Sequence, residues 1–254
     1  MTAESRPSKN NIASDEFSNA HRRNTLLRAL SAEAFEFLKP YCELKSLSAG
    51  QVLYEEAVPF THAIFPHEGV ISFVTTMADG RTAEKTTFGL EGFIGFVLFL
   101  DGGLTLSRSV VQIPGTATFI PVERLNEAAE KYPEIRSLVL MYSKALLVQA
   151  LETVACNSLH RAEERCCRWL LSAHDRIEGN RFYLKQETLA EVLGLRRATV
   201  GEICASLQRD NILCYSRGWI TVLDRASLQA RSCECYRKVR SVFERVLPGT
   251  YSRS

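Results

Sequence analysis

The chain has 254 residues, 46% of them hydrophobic and 24% charged, which excludes collagen-like, low-complexity and wholly disordered polymers. Its net charge of +2 conceals an asymmetry: residues 1–155 hold 14 Lys and Arg against 18 Asp and Glu (−4), and residues 156–254 hold 17 against 11 (+6). An acidic front and a basic back predict two domains, with a polyanion as partner of the second.

Residues 1–23 are polar, lack periodicity and read as a disordered arm, with no apolar leader segment. Leu26, Leu27, Leu30, Ala34, Phe35 and Leu38 then recur at helical spacing up to Pro40, and Ser31 is placed to cap a second helical turn-in. From Leu44 to Pro121 the texture becomes short strands: 51–54, 63–66, 70–76, 84–87, 110–113 and 116–121. Turns are expected at Ala49-Gly50, Glu68-Gly69, Asp79-Gly80, Gly102-Gly103 and Pro114-Gly115, with Asp79-Gly80 the strongest hairpin signal. Strands at this spacing predict a sandwich or a closed, barrel-like antiparallel β-roll of jelly-roll type. The apolar window 88–100 holds about 13 residues and contains Glu91, short of the roughly 18–20 that cross a bilayer, so no membrane partner is expected.

A short helix is expected over 121–132, and Pro133 opens a long one to about Cys156. Its two apolar stripes are Ile135, Leu138, Tyr142, Ala145 and Gln149, and Leu140, Leu147, Leu151 and Val154. Such a helix needs cover on both sides: the roll on one, and a symmetry mate on the other in a homodimer. Burial within a monomer is the alternative. Asn157 or Ser158 can cap the next helix, 159–177, and 182–184 reads as a short strand.

The segment 185–213 reads KQETLAEVLGLRRATVGEICASLQRDNIL. One helix turns Leu189, Ala190 and Leu193 inward, Gly194 makes the turn, and a second helix turns Val200, Ile203 and Leu207 inward. This is a helix-turn-helix, with Arg196, Arg197 and Thr199 at the start of the helix that reads DNA. Arginine there can bond guanine O6 and N7, and Glu202 can accept from cytosine N4. Residues 214–223 form a hairpin wing with Arg217 at its tip; Arg217 and Lys185 are candidates for phosphate, and Gln186 is a further DNA-binding candidate. Residues 225–247 read as a further helix, which could add phosphate contacts, cover the winged domain or face another protein.

From Leu26 to Leu223 the chain resembles the Crp/Fnr family of bacterial transcription regulators, most specifically in LAEVLGLRRATVGEI and in the roll segments AGQVLY and FPHEGVIS. The resemblance implies an α+β fold: a roll over 24–132, a dimerisation helix over 133–157, and a winged helix-turn-helix domain over 158–247. It implies a cytoplasmic homodimer on an inverted-repeat operator, contact with RNA polymerase, and a roll that answers a signal, with a small-molecule effector as one option. In relatives that bind cyclic nucleotide, Phe-Gly-Glu holds the ribose and Arg-Ser the phosphate. Here Phe96 stands where the glutamate belongs while Arg108-Ser109 survives, so cyclic AMP is not expected and no cofactor is assigned. The family's Arg-Glu-x-x-x-Arg reading pattern is partly kept: Arg197 matches, Ala198 and Glu202 do not.

Eight cysteines without regular spacing read as reduced thiols. None precedes Cys42, which argues against the family's iron–sulfur branch, and Cys233-Glu-Cys235 does not fit a zinc knuckle. No metal site is therefore expected. No catalytic motif joins the five histidines, and no G-x-S-x-G, P-loop or G-x-G-x-x-G occurs, so no enzyme is expected. The alternative function is an effector-binding module acting through protein contacts.

Overall fold

Capping chemistry decides how the chain enters its first domain. The apolar run after Asn24 breaks into α1 (Thr25–Arg28) and α2 (Ala32–Leu38) because Ser31 Oγ accepts the Ala34 N–H at 3.2 Å. Asn24 Oδ1 caps α1, and its Nδ2 donates to the carbonyls of Pro66 and Gly92, both at 2.8 Å. The computed structural model describes residues 21, 23–100 and 102–251, so most of the arm expected over 1–23 lies outside the described residues. Two positions of the arm pack on the fold: His21 stacks on Phe35, and Arg23 donates to Glu178 at 2.6 Å.

The roll is one antiparallel sheet of β1 (Glu43–Leu47), β2 (Val52–Tyr54), β3 (His62–Thr76), β4 (Thr82–Phe88) and β5 (Arg108–Pro121). Its order is β1-β5-β3-β4, with β2 also on β5. The Asp79-Gly80 hairpin forms as expected, with Gly80 at φ +84. Glu68-Gly69 and Pro114-Gly115 do not turn the chain. They are facing irregularities inside two long strands, where Glu68 pairs with Thr116 and Val70 with Ile113. Glycine is needed there because the backbones nearly touch: a Cβ on Gly69 would lie 2.5 Å from the Ile113 carbonyl, and one on Gly115 would collide with that of Glu68. The apolar window forms a buried loop containing a 3-10 turn, Phe96–Phe99.

Two helices follow, α3 (Val122–Lys131) and α4 (Pro133–Leu159). On α4, Ile135, Val139, Tyr142, Ala145, Leu146 and Gln149 are buried; Gln149 Nε2 donates to Thr86 Oγ1 at 2.7 Å and to the Thr87 carbonyl at 2.9 Å. The other stripe is bare: Leu147, Leu151 and Val154 are 59%, 61% and 65% exposed. With a mean hydropathy of 1.4 over 18 residues, α4 is long and apolar enough to cross a membrane, yet one of its faces is packed on the roll. Asn157 and Ser158 do not cap the next helix. Ser158 Oγ donates back to Val154 within α4, and the break comes at His160–Arg161, where Glu164 accepts the Arg161 N–H at 2.8 Å.

The winged domain comprises α5 (Ala162–His174), β6 (Arg181–Tyr183), α6 (Gln186–Leu193), α7 (Arg197–Arg209), β7 (Leu213–Ser216) and β8 (Trp219–Val222), with sheet order β6-β8-β7. The C-terminal segment, expected as one helix, is two: α8 (Arg225–Ala230) and α9 (Cys235–Val246). The second of these joins the first core, since Phe243 and Leu247 are buried there and the Phe243 ring lies 6.2 Å from that of Tyr142.

Candidate nucleic-acid interface

Gly194 ends α6 in the left-handed region at φ +62, which only glycine adopts without strain. The chain re-enters helix at Arg197, and α7 buries Val200, Ile203, Cys204 and Leu207 against α5 and α6. The same register leaves Arg196, Arg197 and Glu202 exposed and Thr199 half-buried. The Arg197 Nε meets Glu187 at 2.7 Å with both side chains largely in solvent, so that pair opens at little cost. Gln186 lies beside α7, its Oε1 3.5 Å from the place of a Cβ on Gly201, and its N–H donates to the Tyr215 hydroxyl.

The wing turns at Arg217 and Gly218, with φ +51 and +83, so two consecutive left-handed residues make the tight hairpin and put Arg217 at its exposed tip. Trp219, 41% exposed, stacks under the Arg181 guanidinium at 4.5 Å. Sequence reasoning passed over this pair, whose only signal was an aromatic on an alternating strand. Lys185 is exposed at the start of α6 and lines a 330 Å³ cleft against the roll, which it shares with Arg108, Gln112 and Glu191.

Two of the roll's three candidate effector residues, Arg108 and Ser109, face opposite sides of β5. Arg108 points outward and pairs with Glu55 at 3.2 Å, 42% exposed. Ser109 points inward, fully buried, its Oγ without a hydrogen-bond partner among the described residues. Phe96 is half-buried, its ring 6.4 Å from Phe88.

A buried polar seam joins the roll to the winged domain, and sequence reasoning missed it. The Arg176 guanidinium donates to Glu91 at 2.5 and 3.2 Å and to Thr87 Oγ1 at 2.7 Å; the two charged side chains are 4% and 1% exposed. Gly89 leaves the space that the Arg176 side chain fills. Burial opposes the Arg176 charge, but Glu91 more than offsets this and holds its pKa above the ordinary value. Glu84, pushed up by burial, accepts from Ser72 Oγ and Trp169 Nε1. His67 is pushed down to about 4 by burial and by the neighbouring charges of His21 and Arg23.

The six buried cysteines divide into two kinds. Cys167 and Cys204 sit in the winged core, their thiols pushed up by burial to about 12 and about 11, and serve as small apolar side chains. The second kind is a group: one ligand atom each from Cys156, His160, Cys233 and Cys235 lies within 4.8 Å of the others. Spacing could not reveal this, because the two halves of the group are 77 residues apart.

Residues 164–231 match the family model described as the Crp-like helix-turn-helix domain. No curated protein matches the chain. Among solved structures it is similar to FixK2 from Bradyrhizobium japonicum, at 17% identity over 76% of this chain and 98% of that one, with a TM-score of 0.65. It is similar to the c-di-GMP responsive global regulator CLP from Xanthomonas campestris, at 16% identity over 76% and 99% and a TM-score of 0.59. A transcriptional regulator of the CRP/FNR family from Thermus thermophilus shares 18% identity over 75% and 98%, with a TM-score of 0.52. The chain has the fold of the Crp/Fnr regulators and carries their Crp-like helix-turn-helix domain within residues 164–231.

Proposed function

We propose that the protein is a cytoplasmic transcription regulator that binds an inverted-repeat operator as a homodimer and contacts RNA polymerase. The observation that carries the reading is the start of α7, where Arg196 and Arg197 stand exposed above a helix seated by Val200, Ile203 and Leu207. In the major groove those guanidiniums read guanine, and Glu202 accepts from cytosine. Arg217 and Lys185 hold phosphates and set the register, and Gln186, beside α7, adds a DNA contact. The bare stripe of Leu147, Leu151 and Val154 on α4 supports a two-fold partner helix.

The signal received by the roll is not cyclic AMP in this reading. Arg108 is turned to Glu55, and Phe96 brings an apolar ring where a ribose would need a carboxylate. Selection of operators from random duplex DNA by the purified protein, with and without cyclic AMP, tests both parts. A palindrome enriched without nucleotide is expected. Enrichment only with nucleotide would overturn the cyclic-AMP part, and no enrichment in either arm together with no salt-dependent affinity for duplex DNA would overturn DNA binding in favour of protein contacts.

A further inference from the structure

Cys156 and His160 lie one helical turn apart at the end of α4, so their side chains share a face. Cys233 and Cys235 flank Glu234 where the chain passes from α8 into α9. The three cysteines are 0%, 5% and 2% exposed, yet they belong to neither apolar core and form a buried group of their own. Small buried hydrophobes would be expected inside a core; thiols gathered only with one another and an imidazole suit a ligand set.

Two of the separations suit a tetrahedral cation, and all four ligand atoms lie within 4.8 Å of one another. Cys156 Sγ and Cys233 Sγ are 3.5 Å apart, and Cys235 Sγ and His160 Nδ1 are 3.7 Å apart. Zinc bonds of about 2.3 Å to sulfur and about 2.05 Å to nitrogen, set tetrahedrally, give edges of about 3.8 Å between two sulfurs and about 3.6 Å between sulfur and nitrogen. A disulfide would need about 2.0 Å between sulfurs. An iron–sulfur cluster spreads its thiolates over several irons and needs a wider frame. The surroundings are also built for a metal. His160 turns Nδ1 to the thiols and Nε2 to Glu234 at 3.1 Å, the carboxylate–histidine arrangement that fixes a ligating imidazole. Three thiolates on a divalent cation leave one negative charge. Close to it the Nε atoms of Arg165 and Arg168 are buried without hydrogen-bond partners among the described residues, and both guanidiniums interact electrostatically with Cys156.

We propose that Cys156, His160, Cys233 and Cys235 form a tetrahedral Cys3His site for a thiophilic divalent cation, with Zn²⁺ as the fitting ion. The site clamps the end of α4 to the segment between α8 and α9, beside the His160–Arg161 break through which the chain enters the winged domain.

The test is titration of the reduced, chelator-treated full chain with Co²⁺, followed by Zn²⁺. One equivalent per protomer should give intense tetrahedral d–d absorption and thiolate-to-cobalt charge transfer, Zn²⁺ should abolish both, and Zn²⁺ should raise the melting temperature. Cys233→Ser should lose the charge-transfer bands, while Cys214→Ser, at an exposed thiol remote in sequence from the group, should keep them. Glu234→Gln alters only an exposed side chain, so it keeps the test valid if Cys233→Ser does not fold; it should weaken Zn²⁺ about 10–100-fold. A pale octahedral spectrum, bands that survive in Cys233→Ser, or bands lost in Cys214→Ser would overturn the site.

Discussion

The roll and the winged domain place buried polarity differently: among the described residues the winged domain confines its unpartnered polar atoms, the Nε of Arg165 and Arg168, to α5 beside the thiol group and keeps them out of its core. The winged core is built of Leu189, Val192, Val200, Ile203, Leu207, Leu213 and Ile220, and the groups that would meet DNA stand outside it. The roll holds polar atoms inside: His67 Nδ1, Ser107 Oγ and Ser109 Oγ are buried without partners among the described residues, and Glu84 and Glu91 lie along its seam with the winged domain. An apolar core gives pH little to act on. A domain with a polar, titratable interior can change its stability, and its grip on its neighbour, with conditions.

The contrast can be broken hardest at the seam. Glu91→Leu leaves the Arg176 charge buried and unpaired, at a cost of about 3–5 kcal/mol in urea unfolding, whereas Glu91→Leu with Arg176→Met recovers most of that loss. A double variant no more stable than the single would refute a charge-pair role. Acid acts next. Unfolded His67 takes up a proton below about 6.5 and the folded side chain only near 4, so the unfolded state binds more protons across that window. Stability should therefore fall by about 3 kcal/mol as pH drops from 6.5 to 4, beyond whatever loss His67→Gln shows over the same range. Equal pH slopes in the two proteins would remove His67 as the cause. On the winged side, Arg197→Ala should cost about 1–3 kcal/mol on the selected operator and relax base preference, with unfolding unchanged. Arg217→Ala should have the smallest effect, weakening all sequences alike and reducing the salt slope by about 1.

The winged domain was legible because its determinants are near neighbours. Gly194 stands between two helices whose inward residues repeat at three and four, and Arg217-Gly218 turns a hairpin only four residues to a side. The Asp79-Gly80 hairpin was legible for the same reason. What escaped was set by distant partners. Glu68-Gly69 and Pro114-Gly115 read locally as turns and become strand irregularities only because they face each other. Phe243 leaves the winged domain because its apolar stripe finds Tyr142, about a hundred positions earlier. Asn157 and Ser158 have the chemistry of caps, yet α4 runs past both to Leu159. The thiol–imidazole group was invisible for the strongest version of this reason: neither Cys156 with His160 nor Cys233 with Cys235 is a metal motif alone.

The paired irregularities in β3 and β5 divide one ribbon between two masters. On both sides of them Ile64, Phe65, Ile71, Phe73, Val111, Ala117 and Ile120 serve the roll, while Val70 and Ile113 beside them belong to the winged core. No single cut of the chain therefore yields a complete reading head. A fragment beginning at Cys156 would lack two of the side chains that close its own interior, and the missing pieces lie more than forty residues upstream. Inheritance follows from this ownership: the winged half cannot be exchanged for another without also exchanging a strip of the roll beneath it.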